Sequence, residues 1–480
     1  MAIDRVVQTD EKLPILAALP LAAQHLMAMF GATVLVPILT GLDPGIGLMT
    51  SGIGTILYLI VTRNRIPSYL GSSFAFIAPL IAVGGGPALI ASGGGNLPAA
   101  LGGLVAAGFV YMIVAAVVKF TGTGWLSRLL PPALVGSIVI VIGLGLSAVA
   151  VKMSLYPMAD PSKGVSLTSV AVAGITLAAA IVFSSFFRGF WRTVPVLLGI
   201  IVGYVVSIPL GLVSLAGVSS AAWLGCPQIP GVLTVANPLV YIPGIIEIPS
   251  AASSLTFPVF QIDAMAVIAP VAFIVIIEHI GHLLVINEIT GKDFTPILPE
   301  SLFGDGLATA VSGAIGGTPS TTYAENIGVM AVTKVYATQL FWYAGAFAIL
   351  IGGFVPKFSA AIGSIPTPVM GGISLLLFGL IASSGLRLLV SSGIDLSHSR
   401  NLILTSVVLV IGIGMEAGGF TIPLGSYSIP GMALAALIGV VLNLILPRES
   451  PGLAIDSPDF DAELQSQAAS IESDITPTSV

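Results

Sequence analysis

Ionisable side chains are scarce in this chain, and the few that interrupt its long apolar runs are where chemistry must lie. The run Ala272-Phe-Ile-Val-Ile-Ile-Glu278-His279-Ile280-Gly281-His282 carries one carboxylate and two imidazoles. Glu278 and His282 stand four apart, which sets them on one helical face within direct hydrogen-bonding reach. A carboxylate beside an imidazole in a low-dielectric setting titrates as a pair, with a proton that either group can hold. The plainer alternative is an ion pair that only neutralises two buried groups. His279 points to another face, where packing against a neighbouring helix is expected.

A second constellation is Gly316-Gly-Thr-Pro-Ser-Thr-Thr-Tyr-Ala-Glu325-Asn326-Ile-Gly328. Between Pro319 and Glu325 lie four hydroxyl groups and a carboxylate, a pattern no lipid-facing helix would show. Non-helical backbone at membrane depth is tolerated only where protein or a cavity surrounds it. The stretch therefore predicts an extended segment followed by a half-helix, whose first amides lie beside Glu325. Tyr69-Leu-Gly71-Ser72-Ser73-Phe74-Ala75-Phe76 reads as its counterpart. There, small residues permit close backbone approach, and Phe74 either offers a flat face to a planar ligand or packs in the interior. Two carboxylates facing free backbone suit a neutral planar molecule with paired N–H donors and carbonyl acceptors. Cyclic imides and pyrimidine bases fit that description.

The elements that must position these groups follow from composition. Of 480 residues, 56% are hydrophobic and 8% charged, against about 25% charged in soluble domains. Apolar runs recur from residue 13 to 447, which makes the chain an all-α polytopic membrane protein. Sixteen Lys and Arg without a basic patch exclude a nucleic-acid partner. One cysteine, Cys226, excludes a disulfide framework or a Cys-rich metal site. No cofactor is expected and no enzymatic nucleophile–base pair stands out.

A span needs about 20 apolar residues. On that measure spans fall near 13–39, 46–62, 67–83, 97–118, 132–151, 167–187 and 194–216, then near 264–286, 300–316, 319–333, 337–361, 366–386, 401–416 and 429–446. The first run has no small-residue cleavage pattern and is read as span 1 rather than a signal peptide. With the N-terminus inside, thirteen of the 16 Lys and Arg lie on the cytoplasmic side, leaving only Lys152, Lys163 and Lys357 outside. That bias supports fourteen spans with both termini cytoplasmic. Residues 448–480, with seven acids from Glu449 onward and no base after Arg448, read as a disordered acidic tail.

The two halves look related. Gln24-His25 matches Glu278-His279, Pro67-Ser68 matches Pro319-Ser320, and Pro132, Gly136, Gly143 and Leu144 match Pro368, Gly372, Gly379 and Leu380. Seven spans per half make the repeat inverted, an arrangement that places substrate near the midplane of a transporter. The expected organisation is 1–216 as the first repeat, 217–263 as an external connection and 264–447 as the second repeat.

The pieces Gln24-His25-Leu26, Phe30-Gly-Ala-Thr-Val-Leu-Val-Pro37, Gly71-Ser-Ser-Phe-Ala-Phe76, Glu278-His-Ile-Gly-His282 and Thr321-Thr-Tyr-Ala-Glu-Asn-Ile-Gly-Val329 resemble bacterial uracil permeases of the nucleobase:cation symporter-2 family. The resemblance spans residues 13–447. It implies a homodimer in the inner membrane and, per subunit, a core domain from spans 1–4 and 8–11 and a gate domain from spans 5–7 and 12–14. Spans 3 and 10 would be broken by short antiparallel strands. Glu278 and Glu325 would bind the base through its ring N–H groups, and backbone at Phe74 and Ala324 would meet its carbonyls. Ala32 would line the pocket, while His282 would hold Glu278 and couple it to a symported proton. His25, Tyr323 and Ser73 are secondary candidates. Uracil permeases usually carry Gly where this chain has Ala324, and broader pyrimidine permeases carry Ala, which widens the expected substrate to close pyrimidines. Purine-transporting relatives commonly have Gln at the position of Glu325. A purine permease, or an anion exchanger sharing the inverted-repeat plan, are the alternative readings.

Overall fold

The computed structural model describes residues 5–225 and 256–447. Cys226, Arg448, most of the external connection and the acidic tail lie outside the described residues. The first half runs α1 (Ile15–Thr40), α2 (Pro44–Val61), β1 (Leu70–Ser72), a 3-10 turn (Phe74–Phe76), α3 (Ile77–Gly84), α4 (Gly86–Ala91), α5 (Leu97–Thr121) and α6 (Gly124–Leu129). It continues with α7 (Pro132–Gly145), α8 (Ser147–Leu155), α9 (Leu167–Phe186), α10 (Phe190–Thr193), α11 (Pro195–Ser207) and α12 (Ala216–Ser220). The second half holds α13 (Ile262–Ile268), α14 (Val271–Thr290), α15 (Leu298–Ala314), β2 (Ser320–Thr322), α16 (Ala324–Thr333), α17 (Gln339–Phe354) and α18 (Pro356–Gly363). It closes with α19 (Thr367–Ser391), α20 (Ser399–Gly418), β3 (Thr421–Leu424), β4 (Tyr427–Pro430) and α21 (Gly431–Ile445).

Among the described residues, eight helical stretches are long and apolar enough to cross a membrane. Counting α17 and α18, which bend by 82° at Pro356, as one span makes nine. The protein is a mostly helical, multi-pass membrane protein. One expected span is shorter than the apolar run suggests: 194–216 yields a helix only over Pro195–Ser207. Pro209 and Gly211, the latter at φ +69°, stop it early.

Two groups of helices pack chiefly among themselves. In one, α15 lies along α5 and α2, α17 along α2 and α1, and α13 on α5. In the other, α19 lies along α7, α8 and α9, α20 along α7 and α21, and α11 along α9. Glycines allow the close approaches: a Cβ at Gly352 of α17 would sit 2.6 Å from the carbonyl of Gly45 on α2. An N-terminal strap secures the first group. Val7, fully buried, donates its N–H to Lys334 O (3.0 Å) and accepts from Tyr336 N (2.8 Å). Lys292 just beyond α14 donates to Asp10 Oδ1 (2.7 Å), and that bond holds the Asp10 carboxyl below its ordinary range.

β1 and β2 pair antiparallel, with Leu70 opposite Thr322, Gly71 opposite Thr321 and Ser72 opposite Ser320. A two-stranded sheet leaves an outer edge on each strand, and buried edges cannot stay unpaired. A threonine seals each one. Thr55 of α2 accepts from Leu70 N (2.9 Å) and shares its hydroxyl proton between Ser51 O (2.8 Å) and Leu70 O (3.3 Å). Thr309 of α15 clamps Ser320, accepting from its N–H (3.1 Å) and donating to its carbonyl (3.0 Å). Thr309→Val keeps the shape and orphans both backbone groups, so the expected loss is about 1–3 kcal/mol. A lower thermal midpoint in detergent, restored by Thr309→Ser, is the check.

Candidate permeation site

The site lies where α14 packs against β2, α16 and the 3-10 turn at Phe74–Phe76. Glu278 projects from the middle of α14, and Glu325 from the first turn of α16. Both side chains are half-buried, and neither accepts a hydrogen bond from another residue among the described residues. They lie within electrostatic range of each other. Two carboxylates with free lone pairs on adjoining helices make a paired acceptor set for N–H donors. Ala324, at the start of α16 beside Glu325, is exposed.

Phe74 is half-buried and meets Phe378 of α19 edge-on, with ring centroids 6.0 Å apart. It therefore stands at the seam between the two helix groups. Ala32 is buried on α1. Ser73 donates its N–H to Pro319 O (2.9 Å), while its buried hydroxyl has no partner among the described residues. Tyr323 is also buried: its hydroxyl donates to Ser72 O (2.8 Å) and accepts from Thr33 (3.1 Å), pinning β1, β2 and α1 together. His25 packs on Phe341 at 4.6 Å between centroids and shares the amide of Asn326 (3.1 Å to Nδ1, 3.0 Å to its carbonyl). The next residue along from Glu325 is thus moored to α1.

The expected Glu278–His282 hydrogen bond is absent. His282 Nδ1 instead bonds Thr322 Oγ1 at 2.9 Å. The i, i+4 spacing does put both residues on one face, but β2 runs against that same face and presents a hydroxyl to the imidazole. His279 is more than a packing residue. Its Nε2 bonds Ser301 Oγ (2.7 Å), which meets Tyr58 OH (2.7 Å), and its Nδ1 lies 3.0 Å from Asp305 Oδ2. That last approach lacks hydrogen-bond alignment, so both Asp305 oxygens remain without a hydrogen-bond donor among the described residues. Sequence reasoning missed Asp305, although an acid in the middle of the apolar run 300–316 was the signal.

Asp305 and His279 are 0% and 1% exposed, so removing one partner strands the other. Asp305→Ala should lower stability by about 3–5 kcal/mol, whereas replacing both residues by Leu should cost much less than the sum. Additive losses in thermal midpoint would exclude the pair.

Residues 16–419 match the profile of the Permease family. The chain belongs to that family. Among curated relatives of this permease, a uracil permease of Bacillus subtilis (strain 168) is 46% identical over 431 residues, covering 88% of this chain and 91% of the relative. A uracil permease of Escherichia coli (strain K12) is 42% identical over 466 residues, covering 95% and 98%. Among solved structures, the transmembrane domain of a cyanobacterium bicarbonate transporter, BicA, superposes with a TM-score of 0.59 at 14% identity, covering 92% of this chain and all of that one. At that identity the likeness concerns the fold alone.

Proposed function

We propose that this permease imports uracil, or a closely related pyrimidine base, across the cytoplasmic membrane together with protons. The single observation that carries the substrate reading is the pair of unengaged carboxylates, Glu278 and Glu325, on adjoining helices, in a chain 46% identical to a uracil permease. Glu278 and Glu325 accept from the ring N–H groups, the backbone at Phe74 and Ala324 faces the ring carbonyls, and Ala32 bounds the pocket. Two carboxylates disfavour an anion, so the likeness to a bicarbonate transporter supports the architecture and not the cargo.

The architecture we propose is fourteen spans in two inverted repeats of seven, with both termini cytoplasmic and strands β1 and β2 breaking spans 3 and 10. The matched clamps, Thr55 on Leu70 and Thr309 on Ser320, support the repeat, because equivalent side chains seal equivalent strands. The first helix group is the core domain and the second the gate. Alternating access then comes from movement of one group against the other. A homodimer rests on the family resemblance. Uptake of labelled bases into proteoliposomes tests the reading: uracil should accumulate and xanthine should not compete. Xanthine competition would mark a purine permease, and bicarbonate- or chloride-dependent currents without uracil uptake an anion carrier.

A further inference from the structure

The hairpin of β3 and β4 links α20 to α21, both in the gate group, yet it reaches across to α3 and α13 of the core group. Its turn is tight, with Gly425 at φ +59°. Ser426 next to that turn donates its N–H to Asp263 Oδ2 (3.0 Å), at the start of α13. Tyr427 OH accepts from Asn96 Nδ2 (2.6 Å) at the start of α5 and donates to Gln261 Oε1. Asn96, Gln261, Asp263 and the hairpin all fall on the external side in the fourteen-span arrangement. Behind these bonds Tyr427 and Ile429 pack onto the main hydrophobic cluster.

We infer that the β3–β4 hairpin is an external latch that holds the gate group against the core group, with Tyr427 and Asp263 as its fastening residues. The inference rests on the transport reading. If the two groups move apart on the outer face, all three bonds must break together, since each joins one group to the other. Their side chains touch neither Glu278 nor Glu325, so the latch sets the balance between external closure and opening without forming part of the base site. At the opposite end the same two groups share a hydrogen bond from Gln24 Nε2 of α1 to Thr193 Oγ1 of α10 (2.7 Å). Loosening the external latch therefore leaves a contact that can close the inner side.

The test uses the full chain in proteoliposomes with Cys226→Ser and Ala78→Cys, the latter a buried position on α3, the helix that β4 packs against. A membrane-impermeant maleimide applied outside should label this cysteine about fivefold faster or more once Tyr427→Phe or Asp263→Ala is added, the shift expected for one lost hydrogen bond. In the other direction, a Cβ at Gly425 would lie 3.2 Å from Asp263 Cβ, close to disulfide spacing of about 3.5–4.5 Å. Oxidised Asp263→Cys/Gly425→Cys protein should therefore stop uracil uptake, and reductant should restore it. The labelling arm needs no substrate, so it stands even if the base is misassigned. Unchanged labelling in both variants, or uptake persisting through a complete disulfide, overturns the latch.

Discussion

Glu325→Ala should remove detectable uracil binding and leave the protein folded. The carboxylate sits in the first turn of α16, half-buried, and accepts no hydrogen bond from another residue among the described residues. Its loss strands no protein donor, so the thermal midpoint should move little. The ligand is affected quite differently. A ring N–H loses a charged acceptor, about 1.5–3 kcal/mol, and stays desolvated against a methyl group, about 1–3 kcal/mol more. Together these weaken the dissociation constant by about 100-fold or more. Calorimetry on purified protein reads the binding, and a thermal melt checks the fold. Parental affinity in the variant would remove Glu325 from the site.

Glu278→Gln should separate binding from accumulation. The amide keeps a carbonyl oxygen that can accept from the base, so affinity should fall by about tenfold or less. It has no proton to release, so uptake driven by an imposed inward proton gradient should vanish while exchange of bound base persists. Coupling requires that proton affinity differ between base-bound and base-free states. His282 is tied to β2 and not to Glu278, because its Nδ1 bonds Thr322 two residues before Ala324. His282→Ala should accordingly flatten the pH dependence of uptake more than it weakens equilibrium binding. Full gradient-driven accumulation by Glu278→Gln would exclude that carboxylate as the proton carrier. The same result for His282→Ala alone would leave the proton with Glu278.

Much of this protein was determined by its sequence alone. Hydrophobic runs of span length, broken by Pro and Gly, prescribe helices wherever the bilayer must satisfy the backbone internally. The same logic singles out the stretches around Gly71 and Thr321, where hydroxyl groups and small residues cannot face lipid. Motifs at Glu278–His282 and Thr321–Val329 were specific enough to point to the family that the profile match bears out. Glu278 and Glu325 stand out for one reason, which applies equally to the overlooked Asp305: burial makes a carboxylate costly, so each must have a partner or a purpose.

What the tertiary structure decided is which partner each polar group meets. His282 and Glu278 share a face, yet the hydroxyl of Thr322, 40 residues away, holds the imidazole. His279 found Asp305 on α15 through an approach that no spacing within α14 encodes. Thr55 and Thr309 seal strands 15 and 11 residues distant, and the hairpin after α20 meets Asp263, 163 residues earlier. Helical periodicity orients a side chain about its own axis. Hydrogen bonds are short-ranged and directional, so the choice among candidates on that face is made only when another element arrives within 3 Å of it.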